Sequence, residues 1–443
     1  MTDKIDNQQS FLRLLYSAVL YVLIPFVVFR LLFYAIRNPA YRKRIHERFG
    51  FVKKPDSSLP VIWIHAVSVG EVHAARPLVD QIIRSYPHYQ LLITTMTPTG
   101  AEAVHNHFGD RVLHCFIPYD LPDAVNRFIV RIRPALLVVM ETEIWPNLFY
   151  YCRLNDIPVV IANARMSEKS YAGYKRLAGL TRDTLSKVSY VIVQAQVDAE
   201  RLVSLGADKN MVTVSGSIKF DIEIPEEIRK RGLLLHQDIF HNRPVWIASS
   251  THAGEEQIIL SALGSILQQH PNCLLIIAPR HPERSNIIAE LSNKSGFPTV
   301  RKSQGQKVDD QVKVFLLDTL GELPEYYAAS DIAFVGGSLV PHGGHNMLEP
   351  ACLGVPVITG PNNHNFSEIS AMLQHSGAAW LVKGVEELAH RVNLLLTDKH
   401  LRHDAGEKGR KLVQENRGSI HRLMDILHPY LKANLTHGIN ESD

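Results

Sequence analysis

The sequence predicts an α/β protein made of two similarly built halves, each a parallel sheet with helices between its strands. Short apolar, β-branched runs recur along most of the 443 residues, and helical or turn signals follow them. One strand-to-helix figure occurs twice, at residues 61–67 followed by Ser68-Val69-Gly70-Glu71, and at 245–250 followed by Thr251-His252-Ala253-Gly254-Glu255. A hydrophobic content of 46% is enough to fill two cores of ordinary size.

Taken in order, residues 11–36 come first and carry no charge except Arg13 and Arg30. The uncharged part, 14–29, is short for a bilayer core of ~30 Å at ~1.5 Å per helical residue, so a full span must run past Arg30 with that side chain snorkelling. Spanning the membrane and lying in its interface both stay open. Arg37, Arg42, Lys43, Arg44 and Arg48 follow, and such a basic flank places the next domain on the cytoplasmic side. Strands are then expected at 61–67, 91–95, 136–140, 159–162, 190–194 and 212–217. Ile224-Pro225-Glu226-Glu227 breaks the pattern, after which strands return at 245–250, 273–278, 312–317, 332–335 and 355–359. The expected organisation is an anchor over 1–38, a first domain over 39–223 and a second over 224–443.

A net charge of +3 excludes wholesale wrapping of nucleic acid. The cysteines, Cys115, Cys152, Cys273 and Cys352, are far apart and read as reduced core residues of a cytosolic compartment.

Open α/β sheets bind ligands at the carboxyl ends of their strands, and that rule selects the candidates. Glu71 follows the strand at 61–67 beside Gly70, which leaves room for a substrate. Glu141 and Glu143 follow the strand at 136–140, and a second acid near Glu71 would raise its proton affinity; Glu143 also reads as a helix-start acid ahead of Trp145-Pro146, so Glu141 is preferred. Lys219 ends the first half and could hold a leaving phosphate. In the second half the rule selects Pro279 with Arg280, and Leu320-Gly321-Glu322. It also selects the stretch from Gly336 to Gly360, where Gly343-Gly344 is expected to open a helix whose first amides receive an anion. Asn346 and Glu349 stand three apart on that expected first turn, suited to ribose hydroxyls. His342-x-x-His345 has zinc-like spacing but no third ligand nearby, and no Asp-x-Asp ends an apolar strand, so no metal is expected.

HAVSVGE (65–71), METEIWPN (140–147), GSIKFD (216–221), APRHPER (278–284) and GGHNMLEPACLGVPVITGPN (343–362) together resemble the bacterial Kdo transferases, the 3-deoxy-D-manno-octulosonic acid transferases of lipopolysaccharide assembly. The resemblance runs essentially end to end. It implies the GT-B glycosyltransferase fold, two Rossmann-like domains facing across a cleft, with a membrane-anchoring N-terminal helix. It implies CMP-Kdo as donor, no cofactor, and the lipid A precursor as acceptor at the cytoplasmic face of the inner membrane. Carried onto this chain, it makes Glu71 the base of an inverting transfer, with Glu141 and Lys219 supporting the transition state. Pro279, Arg280, Leu320, Gly321, Glu322, Asn346, Met347, Leu348 and Glu349 would line the CMP site. Basic residues of the first domain such as Arg165, Lys169, Lys175 and Arg176 would meet an anionic acceptor or membrane lipid. A UDP-sugar transferase or epimerase of the same fold, and a non-catalytic membrane scaffold, are the rival readings.

Overall fold

The computed structural model describes residues 2–37, 39–56 and 59–437. Two compact units emerge, one running to Asp221 and resuming at Gly418, the other Ile222–Arg417.

The first unit carries β1 Val61–His65, β2 Gln90–Thr95, β3 Leu113–Phe116, β4 Pro134–Met140, β5 Val159–Ala164, β6 Tyr190–Val193 and β7 Val212–Val214. They form one parallel sheet in the order β3-β2-β1-β4-β5-β6-β7. β1 is buried throughout because its two faces feed two cores: Ile62 and Ile64 pack with Leu78 and Ile82, while Trp63 packs with Phe128 and Leu137. Apolar runs without polar alternation are the signature of strands covered on both sides. Strand order reverses between β1 and β4, and the crevice of such a sheet lies at that point.

The second unit repeats the plan with β8 Val245–Thr251, β9 Leu274–Pro279, β10 Thr299–Arg301, β11 Val314–Leu316, β12 Ile332–Val335, β13 Val357–Thr359 and β14 Ala379–Leu381. Its parallel order is β10-β11-β9-β8-β12-β13-β14, with the reversal between β8 and β12.

Three strands, β3, β10 and β14, have no counterpart in the sequence expectation. All three lie at sheet edges, where a short strand is only partly buried and its apolar pattern fades. The extent expected for the second domain is also corrected, since it ends at Arg417 and not at residue 443. The helix Ser419–His437 returns to the first sheet, burying Leu423, Leu427 and Leu431 beside Leu136 and Val138. The Asp221 carboxylate fixes its start by accepting from the N–H groups of Gly418 (2.5 Å) and Ile420 (2.6 Å).

The N-terminal helix, Thr2–Arg37, contains a stretch, Phe11–Ile36, long and apolar enough by length and composition to cross a membrane. One stripe of it, Arg13, Ser17, Leu31 and Ala35, is buried at helical spacing. The opposite face is exposed and apolar, with Phe11, Leu14, Val22, Phe26, Phe29 and Ile36 outward. Buried Asn147 binds the stripe to the domain, accepting from Arg13 (3.2 Å) and Ser17 (3.1 Å) while its own amide donates to the Asp120 carbonyl (2.6 Å). The segment is thus docked along the first unit as well as apolar. Part of the expected basic flank is likewise structural: Arg44 bonds Glu47 (2.7 Å), and buried Arg48 donates to the Met96 carbonyl (2.8 Å).

Candidate active site

In the first unit the strand reversal places the ends of β1 and β4 side by side. Ser68 caps the helix Val69–Ser85, its hydroxyl accepting from the Glu71 N–H (3.4 Å). Glu71 folds back over this cap and accepts from the Val67 N–H (2.8 Å) and the Ser68 hydroxyl (3.1 Å). It is only 8% exposed, and burial pushes its pKa up to about 7, helped by the neighbouring Glu141 and Glu143 and opposed by the two hydrogen bonds. Gly70 beside it is exposed, and a β-carbon there would meet only Ser68 Oγ at 3.7 Å, so the chain is uncrowded at that position.

Glu141 leaves β4 with φ +56°, a left-handed conformation rarely adopted by residues with a side chain, and its N–H donates to the Ala162 carbonyl (2.9 Å). Glu143 accepts from the Trp145 indole (2.7 Å); burial, then Glu141, raises its pKa. Lys219 lies on the short helical turn Ile218–Phe220, pinned by a bond from the Ile218 N–H to Asn163 Oδ1 (3.2 Å). Ile218 is buried in the same core as Val72, which brings that turn against the helix that carries Glu71.

In the second unit the ends of β11, β9, β8 and β12 are consecutive. Pro279 ends β9 and Arg280, exposed, follows it; Leu320 and Gly321 are exposed after β11, and Glu322 is held by Thr319 and by Lys302 (3.7 Å). Past β12 the expectation needs correction. The helix is Leu348–Leu353, so Gly343-Gly344 does not open it, and Asn346 and Met347 precede it. Gly343 and Gly344 have φ +96° and +74°, and a β-carbon on them would sit 2.3 Å from Asn365 and 2.4 Å from Asn363, so the pair makes a crowded left-handed bend. Asn346 and Glu349 do meet. Asn346 accepts from the Leu348 N–H (3.1 Å) and donates to Glu349 (3.1 Å), whose pKa is raised by burial.

Nor are the amides of the first glycine turn open to an anion. Fully buried Glu255 accepts from the N–H groups of Gly337 (2.7 Å), Ser338 (3.0 Å), Leu339 (2.9 Å) and His252 (2.9 Å). The spacing His342-x-x-His345 gathers His252 as well, with His252 Nε2 2.8 Å from His345 Nε2 and its ring stacked on His342. Burial and the neighbouring cationic groups push His252 and His345 down to about 4, so both are neutral near pH 7. Among the described residues, no group of three or more His, Cys, Asp or Glu is placed to hold a metal ion.

Residues 43–222 match the family model described as 3-deoxy-D-manno-octulosonic-acid transferase (kdotransferase), and 255–412 match glycosyl transferases group 1. Over 96% of this chain and the full length of the relative, it is 41% identical to the 3-deoxy-D-manno-octulosonic acid transferase of Haemophilus influenzae. The chain belongs to the 3-deoxy-D-manno-octulosonic acid transferase family. Another relative of this Kdo transferase, from Bordetella pertussis, bears the same name and is 34% identical over 84% of the chain and 87% of the relative. The structure of Acinetobacter baumannii MurG, only 12% identical, superposes with a TM-score of 0.53 over 84% of this chain and 99% of that one, which shows the shared GT-B fold.

The Kdo transferase brings together Glu71 and Glu141, and packs the turn bearing Lys219 against the same helix. One residue of this edge escaped the sequence reading. His65 ends β1 fully buried, with Nδ1 2.9 Å from Thr94 Oγ1, Nε2 unpartnered and its ring edge-on to Trp145; burial pushes it down to about 4. Its only signal was a polar residue closing an apolar strand. In the second unit, Glu255 stood out in the sequence only as part of the repeated strand-to-helix figure, and its role as a buried acceptor was not legible because three of the four amides it binds lie 82 to 84 residues downstream.

Proposed function

We propose that this Kdo transferase moves Kdo from CMP-Kdo to the lipid A precursor, with inversion, at the cytoplasmic face of the inner membrane. Glu71 carries this reading: a buried carboxylate at the strand reversal, beside an exposed glycine and with a proton affinity tuned to neutrality, is suited to draw the proton from an acceptor hydroxyl. Glu141 would keep that affinity raised and Lys219 would meet negative charge as CMP leaves. Arg280 offers a planar fork to the single phosphate of CMP. Pro279, Leu320, Gly321, Glu322, Met347 and Leu348 line the nucleotide site, while Asn346 and Glu349 hold the ribose.

The exposed apolar face of the N-terminal helix supports membrane contact. Lys169, Lys175 and Arg176 are exposed on the helix Glu168–Arg176, as is Arg165 before it, and suit anionic headgroups. The basic residues that follow the helix, Arg37, Arg42 and Lys43, favour the cytoplasmic side. The test is turnover of CMP-Kdo with the lipid acceptor, read as CMP release and as product mass; transfer from a UDP-sugar instead would reverse the donor assignment.

Glu349→Ala is expected to weaken CMP binding by roughly tenfold to a hundredfold, because a charged hydrogen bond contributes ~1.5 to 3 kcal/mol. Calorimetric titration of CMP reads this, and unchanged affinity would move the ribose elsewhere. Turnover is expected to continue after EDTA treatment, as one phosphate can be met by side-chain cations. Activity lost to chelation and restored by Mg²⁺ or Mn²⁺ would refute that.

A further inference from the structure

Between the N-terminal helix and the strand ends of the first sheet lies a cavity of about 260 Å³. Leu20, Ile24 and Val27 wall it on the helix side, and Met96, Ile144 and Trp145 on the other. Asp120 reaches it too, but its two carboxylate oxygens are taken by the N–H groups of Asn147 (3.0 Å) and Leu148 (2.7 Å), so it presents no unsatisfied charge. An apolar cavity of this kind is poorly filled by water, and left empty it forfeits packing contacts.

Two continuities say what fills it. One wall is the helix whose outer face is exposed and apolar, so an occupant can enter from a bilayer without crossing water. The other wall is the edge that bears the candidate catalytic groups: Met96 follows β2, Ile144 and Trp145 follow β4, and Trp145 itself bonds Glu143 and meets His65. A lipid whose headgroup sits at Glu71 therefore has a dry slot beside it for a chain.

We infer that this cavity receives one acyl chain of the lipid acceptor, an assignment that rests on the acceptor proposed above. The slot raises affinity for acylated acceptors by removing chain from water, without touching the reacting atoms.

A twelve-carbon fatty acid bearing a terminal bromine, added to the protein in unbrominated lipid nanodiscs, should quench the fluorescence of Trp145, as identified by the loss of that component in Trp145→Phe. Ile24→Phe, which fills the slot, should abolish the quenching and raise the KM for acylated acceptor at least tenfold, with kcat and CMP affinity unchanged. Val27→Leu fills less and should give a smaller change of the same kind, and it replaces Ile24→Phe if that variant does not fold. Absent quenching in the wild type, quenching undiminished in the filled variants, or an unchanged KM would each overturn the inference. Wild-type protein that shows the quenching but transfers no Kdo to lipid would overturn the functional reading and leave the chain site standing; transfer without quenching would do the reverse.

Discussion

Glu71→Gln is expected to bind CMP like the wild type and to turn over roughly 10² to 10⁴-fold more slowly, the usual effect of losing a general base. The amide keeps the shape of the carboxylate and accepts the Val67 N–H, but it cannot take a proton. Wild-type kcat/KM should rise with pH and level off above about 7, as Glu71 ionises, and the limb should vanish in the variant. The Asp120 carboxyl is also pushed up to about 7 by burial, so persistence of the limb in Glu71→Gln would assign it there. Stability should move in the opposite sense. A free glutamate titrates near 4.5, so between 4.5 and about 7 the unfolded chain sheds a proton that folded Glu71 keeps, and its contribution to stability declines across that window and then stays flat. The variant escapes this loss, so its melting temperature relative to wild type should climb from pH 5 to pH 8. Near-wild-type turnover by Glu71→Gln would end the base assignment.

Glu255→Ala should do the converse, costing stability first. The substitution leaves four amides without their acceptor, and since one buried donor left unsatisfied costs roughly 1 to 3 kcal/mol, a total of roughly 3 to 5 kcal/mol is expected. A unit of this size melts ~2 to 4 °C lower per kcal/mol, so the transition of the second unit should fall by roughly 10 °C. CMP affinity should fall with it, because the loop leading to Asn346 and Glu349 is held through Gly337, Ser338 and Leu339. Differential scanning calorimetry with CMP titration on one preparation measures both, and an unshifted transition would show that the four amides find other partners. The contrast with Glu71 is instructive. Both glutamates open the helix after the first strand of their unit and fold back onto its loop. The neighbouring strand meets Glu255 with backbone N–H groups, whereas at Glu71 it brings further carboxylates. Partner chemistry makes one a rivet and the other a titrating group.

This also marks what was legible in the sequence. Interior strands such as β1 and β4 were readable because burial on both faces leaves continuous apolar runs, and Glu71 and Glu141 were readable because they end such runs. Edge strands such as Thr299–Arg301 were not, since half their surroundings are polar. Gly343-Gly344 misled as a helix start because glycine's freedom does not say whether a chain is entering a helix or skirting Asn363 and Asn365. The return of Ser419–His437 to the first sheet was invisible for a simpler reason: an amphipathic period specifies a buried face, not which sheet buries it.

The polar bolts at Arg13, Ser17 and Asn147 make the N-terminal helix a keel rather than a mooring line. A tethered domain samples every orientation its linker permits, and only a few of these would point its catalytic edge at a lipid headgroup. With the helix bolted along the domain, immersion of its outer face would fix pitch and height together, and for the lipid acceptor proposed above the search would shrink to lateral diffusion toward a port of constant depth.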